Sequence, residues 1–573
     1  MGKAPVPPES PSLAAKFDMV ATEAEEELQQ CADGLPSKSL QSEPPLKPQD
    51  STYNVARDLF LRAMGLMYVL AFLVALEQND LLIGSNGLTP GPRHLRRLRG
   101  QLESRQGKPL EPYELYLASP TVLWFAPEGA FDEWLLRCEV TGLGLALIPL
   151  LFGRANMVIM AAIWVLYGSI TNVGQGWYSF GWEIQLLETG FLSIFLCPFM
   201  SLDMTSLATP KSVVWLYRWL LMRIYIGAGL IKLRGDSCWR DFSCMNYFYE
   251  TTCVPNPLSW FFHTQFPAQW HIMEVTFNHI VQVCVPWTML LSREVRMLGA
   301  VSVASEMLLI QATGNYGFLN MMTILPAIFC FDDEFFSDIH VFVRLVVNSF
   351  YKAASGASIL SSIPKISKKR SALTPSPLRQ SLHVCLILLI SFLSVPVVMN
   401  LLSPSQRMNT SFNTFSIVNT YGAFGSVNRE RHEVILFGSA SESGDEDWLE
   451  YQFKCKPGDT ERRPCILAPY HFRIDWALWF AGFQPFQYHP WLVHYIVKLL
   501  EGDELAFQAL AENPFTGKAP PKRIKVDKYH YRFAREWNST AWWVREFEEP
   551  YLPPLSLDQK QVYDFLRSTD LID

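Results

Sequence analysis

Nine stretches of this chain, 59–76, 135–152, 155–173, 182–200, 213–231, 275–291, 297–313, 318–331 and 382–402, are runs of mostly apolar residues. Their lengths approach the roughly 20 residues that a helix needs to cross a hydrocarbon layer. One such run could be a buried core helix, but their repetition points to a polytopic α-helical membrane protein. Several are short or charged, so five to nine spans are expected, some pairs forming re-entrant hairpins. Composition agrees: of 573 residues 49% are hydrophobic and 18% charged, an apolar surplus that a water-facing globule does not carry.

Residues 1–56 are rich in Pro, Ser and Glu and lack an apolar run, which predicts a disordered cytosolic tail followed by a retained anchor at 59–76. Basic residues mark the cytosolic side of short loops. With nine spans and a cytosolic amino terminus, Arg154, Lys211, Arg293, Arg296 and the stretch 332–381, with Lys365, Lys368, Lys369 and Arg370, all fall on that side. The short opposite loops 174–181 and 314–317 hold no Lys or Arg. The long loop 77–134, with Arg93, Arg96, Arg97 and Arg99, dissents, though long loops obey the rule weakly.

The same arrangement makes the loop 232–274 and everything from 403 to 573 lumenal. Both N-x-[ST] acceptors, Asn409 and Asn538, follow the last run, where glycosylation has meaning only in a secretory lumen. Asn409 sits close to the bilayer, so Asn538 is the better acceptor. Cys455 and Cys465 bracket a Pro-Gly-Asp turn that could bring their thiols together. Cys238, Cys244 and Cys253 share the loop; Cys238 with Cys244 is the nearest pair, leaving Cys253 over. Cys138, Cys197, Cys284, Cys330 and Cys385 lie in apolar runs and are expected as small buried hydrophobes.

Residues 403–573 are more polar and rich in turn residues, a soluble domain on the lumenal face. Alternation at 416–421, 433–437 and 448–453 predicts strands, and 473–483, 490–500 and 504–511 have helical spacing. A β-rich or α+β unit is therefore expected. Trp476, Trp479, Trp491, Trp537, Trp542 and Trp543 are numerous and suit core or membrane-interface positions.

Charges inside the apolar runs, namely Glu183, Glu188, Glu306, Arg218, Arg223 and Lys232, are costly in a bilayer unless paired and so raise the question of function. Glu188 against Arg218 or Arg223 would neutralise both partners and fix helix register; the structural reading of these ion-pair candidates is favoured over catalysis. Other chemistry is missing. GSASESG at 438–444 does not have G-x-S-x-G spacing, and there is no phosphate loop. His263, His271 and His279 recur every eight residues without a ligand cluster, so no metal and no cofactor are expected. Lys and Arg are scattered and the net charge is -7, which argues against nucleic acid.

Five strings carry a resemblance: WYSFGWEIQLLETGFL at 177–192, GAGLIKLRGDSCWRDFSC at 227–244, NTYGAFGSVNRERHEVIL at 419–436, YQFKCKPGDTERRPC at 451–465 and YHFRIDWALWFAGFQ at 470–484. Together they make the chain, from about residue 53 to 555, similar to the lipase maturation factors, and more to their type 1 branch than to type 2, which has a longer membrane-rich insertion. The resemblance implies a multi-pass endoplasmic-reticulum membrane protein, drawn with five spans, a cytosolic amino terminus and a lumenal carboxyl-terminal domain. It implies a non-catalytic folding factor for homodimeric secreted lipases, namely lipoprotein, hepatic and endothelial lipase. Immature lipases would be its partners, with lumenal chaperones and oxidoreductases beside them. An immature client needs exposed apolar patches, and Tyr529, Tyr531, Trp542 and Trp543 are the residues expected to offer them. At 247–257, YFYETTCVPNP, the chain departs from the family pattern expected there, a His in place of Phe248 and no cysteine at 253, so a redox role for the loop is no family property. The alternatives are an intramembrane enzyme using the buried Glu and Arg residues, and a thiol-redox adaptor acting through Cys238 and Cys244.

Overall fold

The computed structural model describes residues 52–355, 376–442, 447–536 and 539–573. The tail before Thr52, the basic stretch from Lys365 to Arg370, Trp537 and the acceptor Asn538 lie outside the described residues.

Among the described residues five helices are long and apolar enough to cross a membrane: α1 (Asn54–Ile83), α2 (Phe131–Phe152), α5 (Lys211–Arg234), α8 (Arg293–Ala312) and α10 (Pro377–Leu402). α1 and α5 are the most enclosed and α10 the least. α1 and α2 meet at Gly65 and Gly142. A Cβ on Gly65 would stand 2.5 Å from the Leu150 amide nitrogen, and one on Gly142 would overlap the Phe72 ring, so both positions require glycine for the close approach.

The four other apolar runs do not become long helices. Two give α3 (Met157–Val173) and α4 (Gly181–Ile194), and one gives the short α9 (Leu319–Ala327). α4 buries Glu183, Gln185 and Glu188, which is tolerable because other protein segments, and not lipid, surround it. The run at 275–291 is broken. It starts inside α7 (Ala268–His279), widens to a π-turn over Ile280–Cys284 and tightens to 3-10 geometry over Val285–Leu290, where Pro286 removes an amide donor. Just before it, α6 (Pro257–Gln265) opens on an Asn256 capping box. In the loop 77–134 the dissenting arginines Arg93, Arg96, Arg97 and Arg99 lie on a polar helix, Gly91–Gln106.

The part after residue 403 does not hang freely from α10, because residues 53–331 and 371–573 pack as one compact unit. Its sheet runs β2-β1-β3-β4, all antiparallel, with β1 (Arg431–Ser439), β2 (Leu449–Glu450), β3 (Arg523–Phe533) and β4 (Trp543–Leu555). β1 pairs with β3 from Arg431 opposite Tyr531 to Ser439 opposite Arg523. α11 (Arg473–Ala481) and α12 (Pro490–Glu501) flank it. Expectations there need three corrections. The strand expected at 416–421 is reduced to Asn419–Thr420, and that at 448–453 breaks into Leu449–Glu450 and Gln452–Phe453 because the Tyr451 amide turns to bond Leu436. The helix expected at 504–511 ends at Phe507 and passes into a strand, Leu510–Glu512.

A separate unit contains Thr52 and the helix Asp333–Ser355, joined by a Thr52 Oγ1 to Asp333 Oδ2 hydrogen bond of 2.7 Å.

Candidate functional site

Chemistry-bearing side chains concentrate where the ends of the membrane helices meet the C-terminal segment. Glu183, in the first turn of α4, pairs with Arg473 of α11 at 2.8 Å; both are fully buried. Glu183 also accepts hydrogen bonds from the Tyr167 hydroxyl and from Trp182 Nε1. Arg473 donates to the Trp177 carbonyl and stacks on Tyr178, 3.6 Å from ring centre. Glu188 is bound by Arg223 of α5, by the Asn419 amide at 2.9 Å and by the Tyr421 hydroxyl at 2.7 Å. The same Arg223 donates to the Asn419 carbonyl. Both carboxylates are thus fasteners between membrane helices and the segment beyond α10. Arg218 takes no carboxylate; it donates to the Phe329 carbonyl and to Tyr53 Oη at 2.8 Å. Arg473, Asn419 and Tyr421 were not singled out as partners in the sequence, since they lie hundreds of residues away, although all three fall in the resemblance strings.

The loop 232–274 is stitched to the sheet in the same way. Arg431 of β1 donates to the carbonyls of Glu250, Thr252 and Cys253 and pairs with Glu433, which pairs in turn with Lys456 at 2.9 Å. The Phe533 amide donates to Glu250, and Trp260 Nε1 of α6 donates to the Ala534 carbonyl at 2.7 Å.

This contact overturns an expectation. Tyr531 and Trp543 are buried with Trp260, Ile435, Phe437 and Phe533, while Tyr529 and Trp542 are only partly buried at the margin of that cluster. The alternation of β3 and β4 turns Tyr531 and Trp543 inward, where α6 covers them. On β4 the apolar side chains left exposed are Val544, opposite Arg532 on the face away from Trp543, and Phe547, on the Trp543 face beside Tyr529, 48% and 57% exposed.

Cys238 and Cys244 form a disulfide, Cα atoms 4.6 Å apart, as do Cys455 and Cys465, 5.7 Å apart. The first is packed with Trp239, Val275 and Val427 and has no exposed sulfur surface to offer a thiol. Cys253 is free and buried, and burial pushes its thiol up, which suppresses the thiolate. Cys138, Cys197 and Cys330 are buried, whereas Cys284 and Cys385 are exposed on their helices, contrary to the expectation that all five are covered. Asn409 is half-buried in a left-handed turn with φ 45°. Asp475 accepts from the Cys455 and Lys456 amides, and burial pushes its carboxyl up to about 6. Burial, and then Arg473, hold His471 well below the usual imidazole range, so it is neutral. Among the described residues no group of His, Cys, Asp or Glu is arranged to hold a metal.

Between α4, α5, α7, α8 and α11 lies a chamber of about 1250 Å³. Most of its wall is apolar and aromatic, with Trp239, Phe248, Phe277, Tyr316 and Trp479 prominent. One side is polar: Lys232 donates to Gln282 Oε1 at 2.7 Å, while Gln282 and Asn278 both donate to Glu306 Oε1, at 3.2 and 2.8 Å.

Comparison with known proteins covers nearly all of this architecture. The family model of the lipase maturation factor transmembrane domain matches residues 55–338, and that of the lipase maturation factor C-terminal domain matches 417–553. Lipase maturation factor 1 of Bos taurus is 43% identical over 91% of this chain and 92% of its own length. The Homo sapiens protein of that name is 42% identical over 89% and 90%. Lipase maturation factor 2 of Mus musculus is 26% identical over 91% and 86%. No solved structure matches.

Proposed function

The chain belongs to the lipase maturation factor family, and from that premise we propose that it is a non-catalytic folding factor that brings immature secreted lipases to their active form. The observation that carries this reading is identity above two-fifths with proteins named lipase maturation factor 1, sustained over about nine-tenths of both chains. The clients are the homodimeric secreted lipases, lipoprotein, hepatic and endothelial lipase, met in the endoplasmic reticulum. The amino terminus is cytosolic; the loop 232–274 and residues 403–573 are lumenal, where oxidoreductases and chaperones also work. Two disulfides in these segments, Cys238 with Cys244 and Cys455 with Cys465, support that placement, since such bonds persist in oxidising compartments.

Neither alternative has comparable support. The intramembrane carboxylates Glu183 and Glu188 are each spent on an arginine and further donors, which leaves them no role as acid or base. The Cys238–Cys244 bridge is buried, so an incoming thiolate has no path to it. Client contact falls instead on the free edge of the sheet along β4, where Val544 on one face and Phe547 on the other are exposed beside Glu546, Glu548 and Glu549, apolar anchors with a polar rim.

The test is deletion of the protein in a lipase-secreting cell, with rescue by the full chain. Secreted lipase activity per unit mass is expected to collapse and be restored by rescue; unchanged specific activity refutes the reading. For orientation, an epitope placed after Asp573 should survive protease added to sealed microsomes until detergent is present. Digestion without detergent reverses the assignment.

A further inference from the structure

The chamber between α4, α5, α7, α8 and α11 plays no part in the proposed lipase contact, and its chemistry is unlike that of the fasteners around it. The carboxylates of Glu183 and Glu188 are saturated by protein partners; that of Glu306 in the chamber is not. The Lys232 ammonium makes one hydrogen bond, to Gln282, and otherwise faces the Trp239 ring at 5.2 Å. Glu306 is 3% exposed, with the Tyr225 hydroxyl and the Lys232 ammonium as its neighbours, and its Oε2 accepts no hydrogen bond of ordinary geometry. Asn278 Oδ1, beside Glu306, and Gln185 Oε1, elsewhere in the chamber lining, also lack donors. Unspent acceptors in a buried place cost free energy until a donor reaches them. The group they await carries a hydrogen-bond donor, and the spare ammonium hydrogens of Lys232 call for an acceptor beside it.

Size and position describe the rest of the ligand. A volume of about 1250 Å³ exceeds the roughly 300–1000 Å³ usual for small-molecule pockets, and the wall away from the polar corner is aromatic and aliphatic. Two wall helices, α5 and α8, are among the five long enough to cross a bilayer. Met273, Phe277 and Leu309 line the chamber and are themselves well exposed. On α8, Leu309 continues the exposed apolar face of Leu298, Val301 and Leu308, the face that meets lipid. An opening beside this face of α8 would be reached from the hydrocarbon layer.

We propose that this chamber binds a membrane lipid whose head both donates and accepts hydrogen bonds, the head held by Lys232 and Glu306 and the hydrocarbon body by the aromatic wall. Hydroxyl heads, as in diacylglycerol or a sterol, and the ammonium-phosphate head of phosphatidylethanolamine share that chemistry; phosphatidylcholine, with no N–H or O–H, does not. Binding is a property of this chamber and stands or falls apart from lipase maturation, because lipid occupancy is read on the purified chain with no client present.

The experiment uses the full chain in nanodiscs of phosphatidylcholine, given trace photoreactive diacylglycerol, sterol, phosphatidylethanolamine or a fatty-acid methyl ester, with labelled residues mapped by mass spectrometry. At least one donor-headed probe should label chamber residues such as Trp239, Phe248 or Met307, and which one does so identifies the source. The methyl ester, which has no donor, should label only outer helix faces. Glu306→Leu should reduce chamber labelling roughly tenfold, the effect of losing one charge-assisted hydrogen bond. Ala228→Phe, which places a ring in the chamber, should abolish it and serves where Glu306→Leu does not fold. Chamber labelling equal for the methyl ester, labelling confined to outer faces for all probes, or labelling indifferent to Ala228→Phe overturns the proposal.

Discussion

Replacing Arg473 by Met tests whether the C-terminal segment is held to the membrane helices by buried charge. The substitution keeps most of the side-chain volume but leaves Glu183 fully buried, without the cation at 2.8 Å, and removes the stacking on Tyr178. Breaking one side of a buried pair costs about 3–5 kcal/mol, whereas removing both charges together is often close to neutral. Glu183→Gln with Arg473→Met should therefore recover most of what Arg473→Met loses, since Gln can still accept from Trp182 and Tyr167. The cycle is read by thermal melting of detergent-purified protein monitored by gel filtration, with limited proteolysis of the C-terminal segment. Arg473→Met should melt earlier and expose residues 403–573 to protease, and the double variant should be close to wild type. If the single and double variants melt together, or if Arg473→Met is as protected as wild type, the pair does not fasten the two regions.

Trp260→Ala should cost about 3–5 kcal/mol by emptying the place that α6 fills over the sheet; hydrogen exchange in β3 and β4 should quicken, and unaltered exchange there would show that α6 is not the cover. Loss of the Cys455–Cys465 bridge through Cys455→Ser, across a separation of 10 residues, should lower stability by about 2–3 kcal/mol; alkylation of both thiols without reductant in the wild-type protein contradicts the bridge. Asp475, whose carboxyl rises from 3.8 to about 6 on folding, holds a proton in the folded state through a window where the unfolded chain has released it. Stability from this group therefore falls as pH rises from about 4 to 6, by up to about 3 kcal/mol. Asp475→Asn should remove that share of the difference between pH 4 and pH 7 in denaturation experiments, and an identical pH profile in the variant would count against it.

Apolar length made the membrane helices legible: α1, α2, α5, α8 and α10 all coincide with runs seen in the sequence. The other runs misled because hydropathy does not distinguish lipid from protein surroundings. α4 supplies only the first part of the apolar run at 182–200, and its carboxylates Glu183 and Glu188 meet Arg473 and Arg223. Pro286 and the π-turn before it broke the run at 275–291, which an averaged hydropathy smooths over. β3 and β4 escaped notice for a different reason. RIKVDKYHYRF and WVREFEEPYLPPL alternate charge with aromatics, and they read as exposed aromatic patches when the α6 cover, contributed from about 270 residues earlier, is not in view. The polar corner of the chamber was half legible: Lys232 and Glu306 stood out as charges in apolar runs, but Gln282, which bridges them, and Asn278, which bonds Glu306, are uncharged.

Packing of the loop against the sheet also decides which perturbation can locate a client surface. Truncation before residue 537 removes β4, and with it the partner strand of β3 and the Trp543 ring stacked on Phe533 at 4.3 Å. It uncovers Trp260 and loosens the loop 232–274, so loss of lipase activity in such a chain reports collapse of the sheet as readily as loss of a contact. Phe547 and Val544 offer a cleaner separation, because both are about half exposed on the sheet's edge strand, and Phe547 touches the interior only through the partly buried Tyr529 ring. Phe547→Asp should leave melting and hydrogen exchange in β1 and β3 unchanged, since exposed substitutions away from packed features shift stability by about 0.5 kcal/mol or less. On the proposed function the same change should lower the specific activity of secreted lipase. Normal lipase activity with Phe547→Asp and Val544→Asp combined, at normal protein level, would move the client contact off this edge.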